Sequence, residues 1–67
     1  MPKLHVEYWW NYSGEHKVII ESTHPDYPVI KTYTYRAGFA EPVIHEAEKL
    51  ISDLEEGRTT IKKVMAR

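Results

Sequence analysis

The residues best suited to acid–base or metal chemistry are four histidines, which lie far apart at positions His5, His16, His24 and His45. No two of them have the i, i+4 spacing that places a pair of ligands on one helix face. The segment at His45 reads His-Glu-x-x-Lys, so Lys49 stands where a zinc protease requires its second histidine. Because the chain also has no cysteine, thiolate zinc sites and cysteine nucleophiles are excluded. We therefore predict no metal site and no cofactor.

The hydroxyl groups show no sign of nucleophilic catalysis, which needs a hydroxyl, a base and an orienting acid around one pocket. Ser13 falls in a predicted turn, Ser22 near a strand end and Ser52 on a predicted helix, and nothing links any of them to a histidine. The three glycines form neither a P-loop nor a dinucleotide-binding motif. We expect this chain not to be an enzyme.

The aromatic residues are the most informative group, because all eight lie between positions 8 and 39. Trp9 and Trp10 are consecutive in a predicted strand, so their side chains must point to opposite faces of the sheet. Only one of the two can face a core covered by a helix. We predict that Trp10 is buried there and that Trp9 lies on the open face.

The predicted open face contains Trp9 beside Ile19 and opposite Lys17. This arrangement fits either a local cation–π pair or an aromatic anchor of the kind enriched at protein interfaces. Tyr33 and Tyr35 share a parity and are predicted to extend the same surface. The loop that contains Tyr27 and Pro28 lies nearby. The candidate partner-binding residues are therefore Trp9, Lys17, Ile19, Tyr27, Tyr33 and Tyr35. We expect the partner to be a protein, either a second copy in a homodimer or a larger protein that the chain adapts or inhibits.

Nucleic-acid binding is the alternative function, and it rests on the uneven distribution of charge. Residues 1–40 are neutral, residues 41–56 carry six acids against one lysine, and residues 57–67 carry four bases and no acid. The candidate phosphate contacts are Arg58, Lys62, Lys63 and Arg67. Such a tail can equally pair with the acidic helix that precedes it. The net charge of −1 argues against the basic footprint that nucleic-acid binding requires.

A β-hairpin positions the two tryptophans. Polar and apolar residues alternate over positions 4–11, which is typical of a half-buried strand, and a second strand follows through residues 17–21. Asn11 and Gly14 bracket the intervening turn in the pattern of a three-residue loop. If Asn11 faces Glu15, opposed residue numbers sum to 26 and the even-numbered residues share one face. His5 then faces Glu21.

Three segments after the hairpin complete the predicted secondary structure. Residues 29–36 are rich in threonine, tyrosine and β-branched residues and predict a third strand. An apolar stripe predicts a helix from about 42 to 56, with Pro42 in its first turn and Gly57 after its end. Residues 59–65 fit either a strand or a short helix, and we favour a fourth strand.

The predicted fold class is therefore α+β: a small antiparallel sheet of three or four strands with one amphipathic helix on one face. At 67 residues we expect a single domain spanning positions 1–67. No apolar run is long enough for a signal peptide or a membrane span, and the lack of cysteine fits a reducing compartment. We expect a soluble cytoplasmic protein without membrane contact. Its size and layout resemble those of compact proteins from phages and mobile elements, an analogy with no motif behind it.

Overall fold

The computed structural model describes residues 2–66 and contains three strands and two helices. The strands are β1 (Leu4–Trp10), β2 (Glu15–Ser22) and β3 (Val29–Arg36), and the helices are α1 (Ala40–Glu55) and α2 (Ile61–Met65). The strands form one antiparallel sheet in the order β1-β2-β3, and α1 packs on one face of it. The predicted α+β class is confirmed. Within residues 2–66, no helix has the length and apolar character needed to cross a membrane.

The hairpin has the predicted register. Leu4 lies opposite Ser22, Tyr8 opposite Val18 and Trp9 opposite Lys17. The turn closes with the Asn11 amide donating to the Glu15 carbonyl at 3.0 Å, and Gly14 adopts a φ of 86°. A positive φ is costly for residues with a side chain, which explains why glycine occupies this position of the loop.

Strand β3 spans the predicted residues, and a β-bulge sets its register against β2. Val18 lies opposite Tyr33 and Ile20 opposite Lys31, but the pairing then shifts by one so that Glu21 lies opposite Val29. The shift turns Ile30 into the core, where it is 5% exposed. One extra residue in a strand therefore buries a side chain that strict alternation would leave on the other face.

Helix α1 begins at Ala40, two residues before the predicted start. Pro42 is then the third helical residue, a position whose amide has no intrahelical acceptor in any case. The helix ends where predicted: the Glu56 amide donates to the Ser52 carbonyl at 2.9 Å, and Gly57 adopts a φ of 79°. The left-handed residue after the last turn is a common helix stop.

The fourth strand that we favoured for residues 59–65 is wrong, because this segment forms helix α2. Thr60 caps it by accepting a hydrogen bond from the Lys63 amide at 3.2 Å. Ile61 and Val64 turn towards the sheet and pack against the core. Their three-residue spacing fits one face of a helix, so tertiary packing and the cap outweigh the β-propensity of the composition.

The core is small and lies between β2, β3 and α1. Only four of the described residues are buried, namely Val18, Ile20, Ile30 and Ala47. Half-buried side chains of α1 surround them, including Val43, Leu50, Ile51 and Leu54.

The prediction that Trp10 belongs to this core is wrong, because its side chain is 58% exposed. Helix α1 starts at the end of β3, packs over β3 and β2, and brings Leu54 near Leu4 of β1. On the helix side of β1, Leu4 and Val6 therefore pack against the core, whereas Tyr8 and Trp10 stay exposed.

Candidate interaction surface

The face of the sheet away from α1 carries three of the predicted binding residues together. Trp9 and Lys17 form a cross-strand pair in which the Lys17 Nζ lies 4.7 Å from the centroid of the Trp9 ring. Ile19 projects from the same face of β2 and is half-buried. Trp9 remains 41% exposed despite the lysine. The predicted grouping of these side chains on the open face is thus present.

Tyr33 and Tyr35 do not extend that group, and their predicted position on the open face is wrong. Tyr33 lies opposite Val18 and Tyr35 opposite His16, so both rings are on the helix side and pack beside the core. The Tyr35 and His16 rings are stacked, with centroids 5.2 Å apart and planes at 24°. Burial and the carboxylate of Glu46 raise the pKa of Tyr33 above the usual tyrosine value.

The second half of β1 exposes further aromatic rings on the helix side. Tyr8 is 61% exposed and Trp10 is 58% exposed, and the Trp10 ring meets Tyr12 edge to face at 5.2 Å. Together with Trp9 on the opposite face, they form what we call the β1 aromatic surface: Tyr8, Trp9, Trp10 and Tyr12. It occupies one edge of the sheet and both of its faces.

Sequence reasoning missed the exposure of Tyr8 and Trp10, although one signal pointed to it. Only three residues connect β3 to α1, so the helix must start directly at the end of β3. Since β3 and β1 are separated by β2, a helix that starts there cannot also cover the nearby end of β1.

Tyr27 lies apart from the β1 aromatic surface. It belongs to the loop between β2 and β3, at the opposite end of β2 from the hairpin turn. Its ring is half-buried and contacts His24, with centroids 5.1 Å apart. The structure therefore does not bring Tyr27 together with Trp9.

The candidate phosphate contacts of the alternative function are also dispersed. Arg58 is held by the end of α1: its Nε donates to Asp53 Oδ1 at 2.6 Å and its Nη2 to Glu56 Oε2 at 2.9 Å. Lys62 and Lys63 lie exposed on α2, and Arg67 falls outside the described residues. Pairing with the acidic helix therefore accounts for Arg58.

This ion-pair cluster shifts the acidity of Glu56. Hydrogen bonds from the Ser52 hydroxyl at 2.6 Å and from Arg58 at 2.9 Å stabilise the charged carboxylate and lower the pKa of Glu56. Both groups are exposed, so water screens the pair and its contribution to stability is small.

One exposed group on the open face has the atoms of a metal site. His5, Glu7 and Glu21 place one ligand atom each within 4.8 Å of one another, and His5 Nε2 lies 2.9 Å from Glu7 Oε2. Such exposed clusters are common without a metal ion. We interpret the group as a surface hydrogen bond between His5 and Glu7 beside a second carboxylate.

An apolar groove lies on the helix side, at the end of β1 away from the hairpin turn. Its volume is about 750 Å³, and it is open to solvent. Pro2, Leu4, Leu54 and Ile61 form its apolar lining. Lys3, His24, Glu55 and Lys62 also line it.

Comparison of the chain with protein-family models, with curated proteins and with solved structures found no match. Function is therefore inferred from the geometry of the side chains themselves.

Proposed function

We propose that this protein is a non-catalytic protein-binding module and that the β1 aromatic surface is its contact surface. The observation that carries the proposal is the exposure of Tyr8, Trp9 and Trp10 on a strand at the edge of the sheet. Large aromatic side chains are enriched among the residues that dominate binding energy at interfaces. Burying them against a partner would remove apolar area from water on both sides of the strand.

The small core supports the same proposal. With four buried side chains among residues 2–66, the fold has little apolar area of its own to offset the entropy of folding. A partner that binds only the folded chain would add to its stability by mass action.

Other residues extend the contact. Lys17 and Ile19 continue it on the open face beside Trp9, and Tyr35 continues the row from Trp10 through His16 on the helix side. Tyr33 and Tyr27 lie outside these two rows of side chains. They would contact only a partner that extends beyond the β1 aromatic surface. The lack of cysteine suits the reducing cytoplasm, which is the compartment that we propose.

The test compares what the wild-type chain and two variants retain from an extract of the source cells. Trp9→Ala removes the open-face anchor, and Glu48→Ala is the control because Glu48 is exposed on α1, away from β1. We expect a protein that the wild type and the control retain and that Trp9→Ala loses, with little change between about 50 and 200 mM salt. Capture that disappears when salt is raised over that range, or when the extract is treated with nuclease, would contradict the proposal. Equal capture by all three chains would contradict it too.

A further inference from the structure

Strand β1 has one edge whose backbone groups have no strand partner within the described chain. The Asn11 amide donates to Glu15 at 3.0 Å and the Lys3 carbonyl accepts from Thr23 at 3.0 Å, so the odd-numbered residues direct their backbone groups to β2. In an antiparallel ladder these directions alternate. The even-numbered residues, including Val6 and Tyr8, therefore direct their amides and carbonyls outward.

The other edge of the sheet is less regular than the edge of β1. Strand β3 contains the bulge at Ile30, and α2 packs against this strand. A bulge is a common device against edge-to-edge pairing. Strand β1 has no proline and no bulge between Leu4 and Trp10.

We propose that the occupant of this edge is a second copy of the chain, joined by antiparallel β1–β1 pairing with the two-fold axis at Val6. This inference rests on the proposed function, since it names the partner of the β1 aromatic surface. A two-fold axis perpendicular to the sheet continues the three strands into a sheet of six and places both α1 helices on the same side.

Complementary side chains favour one register on the open face. With the axis at Val6, opposed residue numbers sum to 12, so His5 lies opposite the partner's Glu7 and the reverse pair forms by symmetry. Lys3 then lies opposite the partner's Trp9. Imidazole–carboxylate hydrogen bonds and cation–aromatic pairs in directly opposed positions stabilise a ladder.

The neighbouring registers lack this complementarity. An axis at Glu7 places that carboxylate directly opposite its own copy, which is destabilising. An axis at Tyr8 places Glu7 opposite the partner's Trp9 and leaves His5 beyond the partner's strand. An axis at His5 shortens the ladder and leaves Trp10 uncovered.

The side chains on the helix side of β1 independently favour the axis at Val6. In that register Tyr8 lies opposite the partner's Leu4, and Trp10 lies opposite the partner's Pro2. Leu4 and Pro2 line the groove, to which Leu54 and Ile61 add apolar surface and Lys3, Glu55 and Lys62 add charged groups. The exposed rings of each copy therefore cover the groove of the other.

The surface area that this dimer would bury is in the range of a weak or moderate interface. Tyr8 and Trp10 are each about 60% exposed, and aromatic residues bury about 150–250 Å² when fully covered. These two rings alone would contribute roughly 250 Å² per copy, about a third of the ~800 Å² per partner at a standard interface. The ladder and the groove supply further contact.

Single cysteines test the register directly, because the chain has no cysteine of its own. Opposed residues in a hydrogen-bonded pair have Cα atoms about 5.5 Å apart, within the range of a disulfide. We expect Val6→Cys to form a covalent dimer with the mild oxidant diamide and Glu7→Cys not to, since the two Glu7 Cα atoms would be about 8 Å apart. A mixture of Leu4→Cys and Tyr8→Cys should form the mixed disulfide.

The mixed pair keeps the test valid if Val6→Cys destabilises the fold. Preferential cross-linking at Glu7→Cys or Tyr8→Cys would overturn the register, and no cross-linking at any position would overturn the second copy as partner. If the wild-type chain nevertheless captures another protein through Trp9, the proposed function stands without this inference.

Discussion

The indoles of Trp9 and Trp10 lie on opposite faces of β1, and they are 41% and 58% exposed. The Lys17 ammonium lies 4.7 Å from the Trp9 ring centroid, and Tyr12 meets the Trp10 ring edge to face at 5.2 Å. Because β1 is an edge strand, a chain that pairs with it reaches both rings at once. One strand can therefore supply backbone hydrogen bonds and two aromatic contacts to the same partner.

Replacing Trp10 by alanine should leave the fold intact. The side chain is 58% exposed and its one aromatic neighbour is Tyr12, so we expect the free energy of unfolding to fall by about 0.5–1.5 kcal/mol. A buried tryptophan would cost about 3–5 kcal/mol. Urea unfolding followed by circular dichroism measures the difference, and a loss above about 3 kcal/mol would show that Trp10 belongs to the core.

Ile20 and Ile19 form a matched pair for testing the core. Ile20 is fully buried, whereas Ile19 is half-buried on the open face. We expect Ile20→Ala to lower the free energy of unfolding by about 2–5 kcal/mol, a large share of the roughly 3–10 kcal/mol expected for a domain of this size. Ile19→Ala should cost clearly less. Equal losses in the same unfolding experiment would mean that the two faces of β2 are buried alike.

The cap at Thr60 should decide whether α2 forms. Its side chain accepts the Lys63 amide at 3.2 Å, and loss of such a cap typically costs about 0.5–2 kcal/mol. We expect Thr60→Ala to increase amide hydrogen exchange over Lys63–Met65, while Thr60→Ser, which keeps the hydroxyl, leaves exchange near the wild-type rate. Unchanged exchange in Thr60→Ala would indicate that packing of Ile61 and Val64 alone holds the helix.

The stability contributed by the end of α1 should depend on pH, and it should decrease as the pH falls. The Ser52 hydroxyl, followed by Arg58, lowers the pKa of Glu56 in the folded chain. A lowered folded-state pKa stabilises the fold above the ordinary glutamate range, and this contribution is lost as pH falls through the folded value. NMR titration of the Glu56 carboxyl carbon should show the pKa rise in Ser52→Ala and in Arg58→Gln. If it does not move in either variant, these hydrogen bonds are not formed in solution.

The hairpin was predictable because local chemistry fixes it. Asn11 and Gly14 determine the loop length, and the loop length determines that Trp9 faces Lys17. Helix α1 was predictable for a similar reason, since its apolar stripe and Gly57 lie within the segment itself. In both cases the deciding residues are close together in sequence.

The remaining features depend on contacts between distant segments. The face of Tyr33 and Tyr35 depends on how β3 pairs with β2 across a loop with two prolines, and the bulge at Ile30 then shifts part of that pairing. The exposure of Trp10 depends on the path of α1 over the sheet. Alternation along a strand gives two faces but does not say how much of each face a helix will cover.

Sedimentation equilibrium of the wild-type chain beside Tyr8→Ser/Trp10→Ser tests most directly whether β1 carries the contact surface with a second copy as its occupant. We expect the wild type to approach twice its chain mass of 7.9 kDa as concentration rises. The double variant should stay at the single-chain mass and remain folded by circular dichroism. Identical masses for the two chains at every concentration, whether both single or both double, would contradict this account.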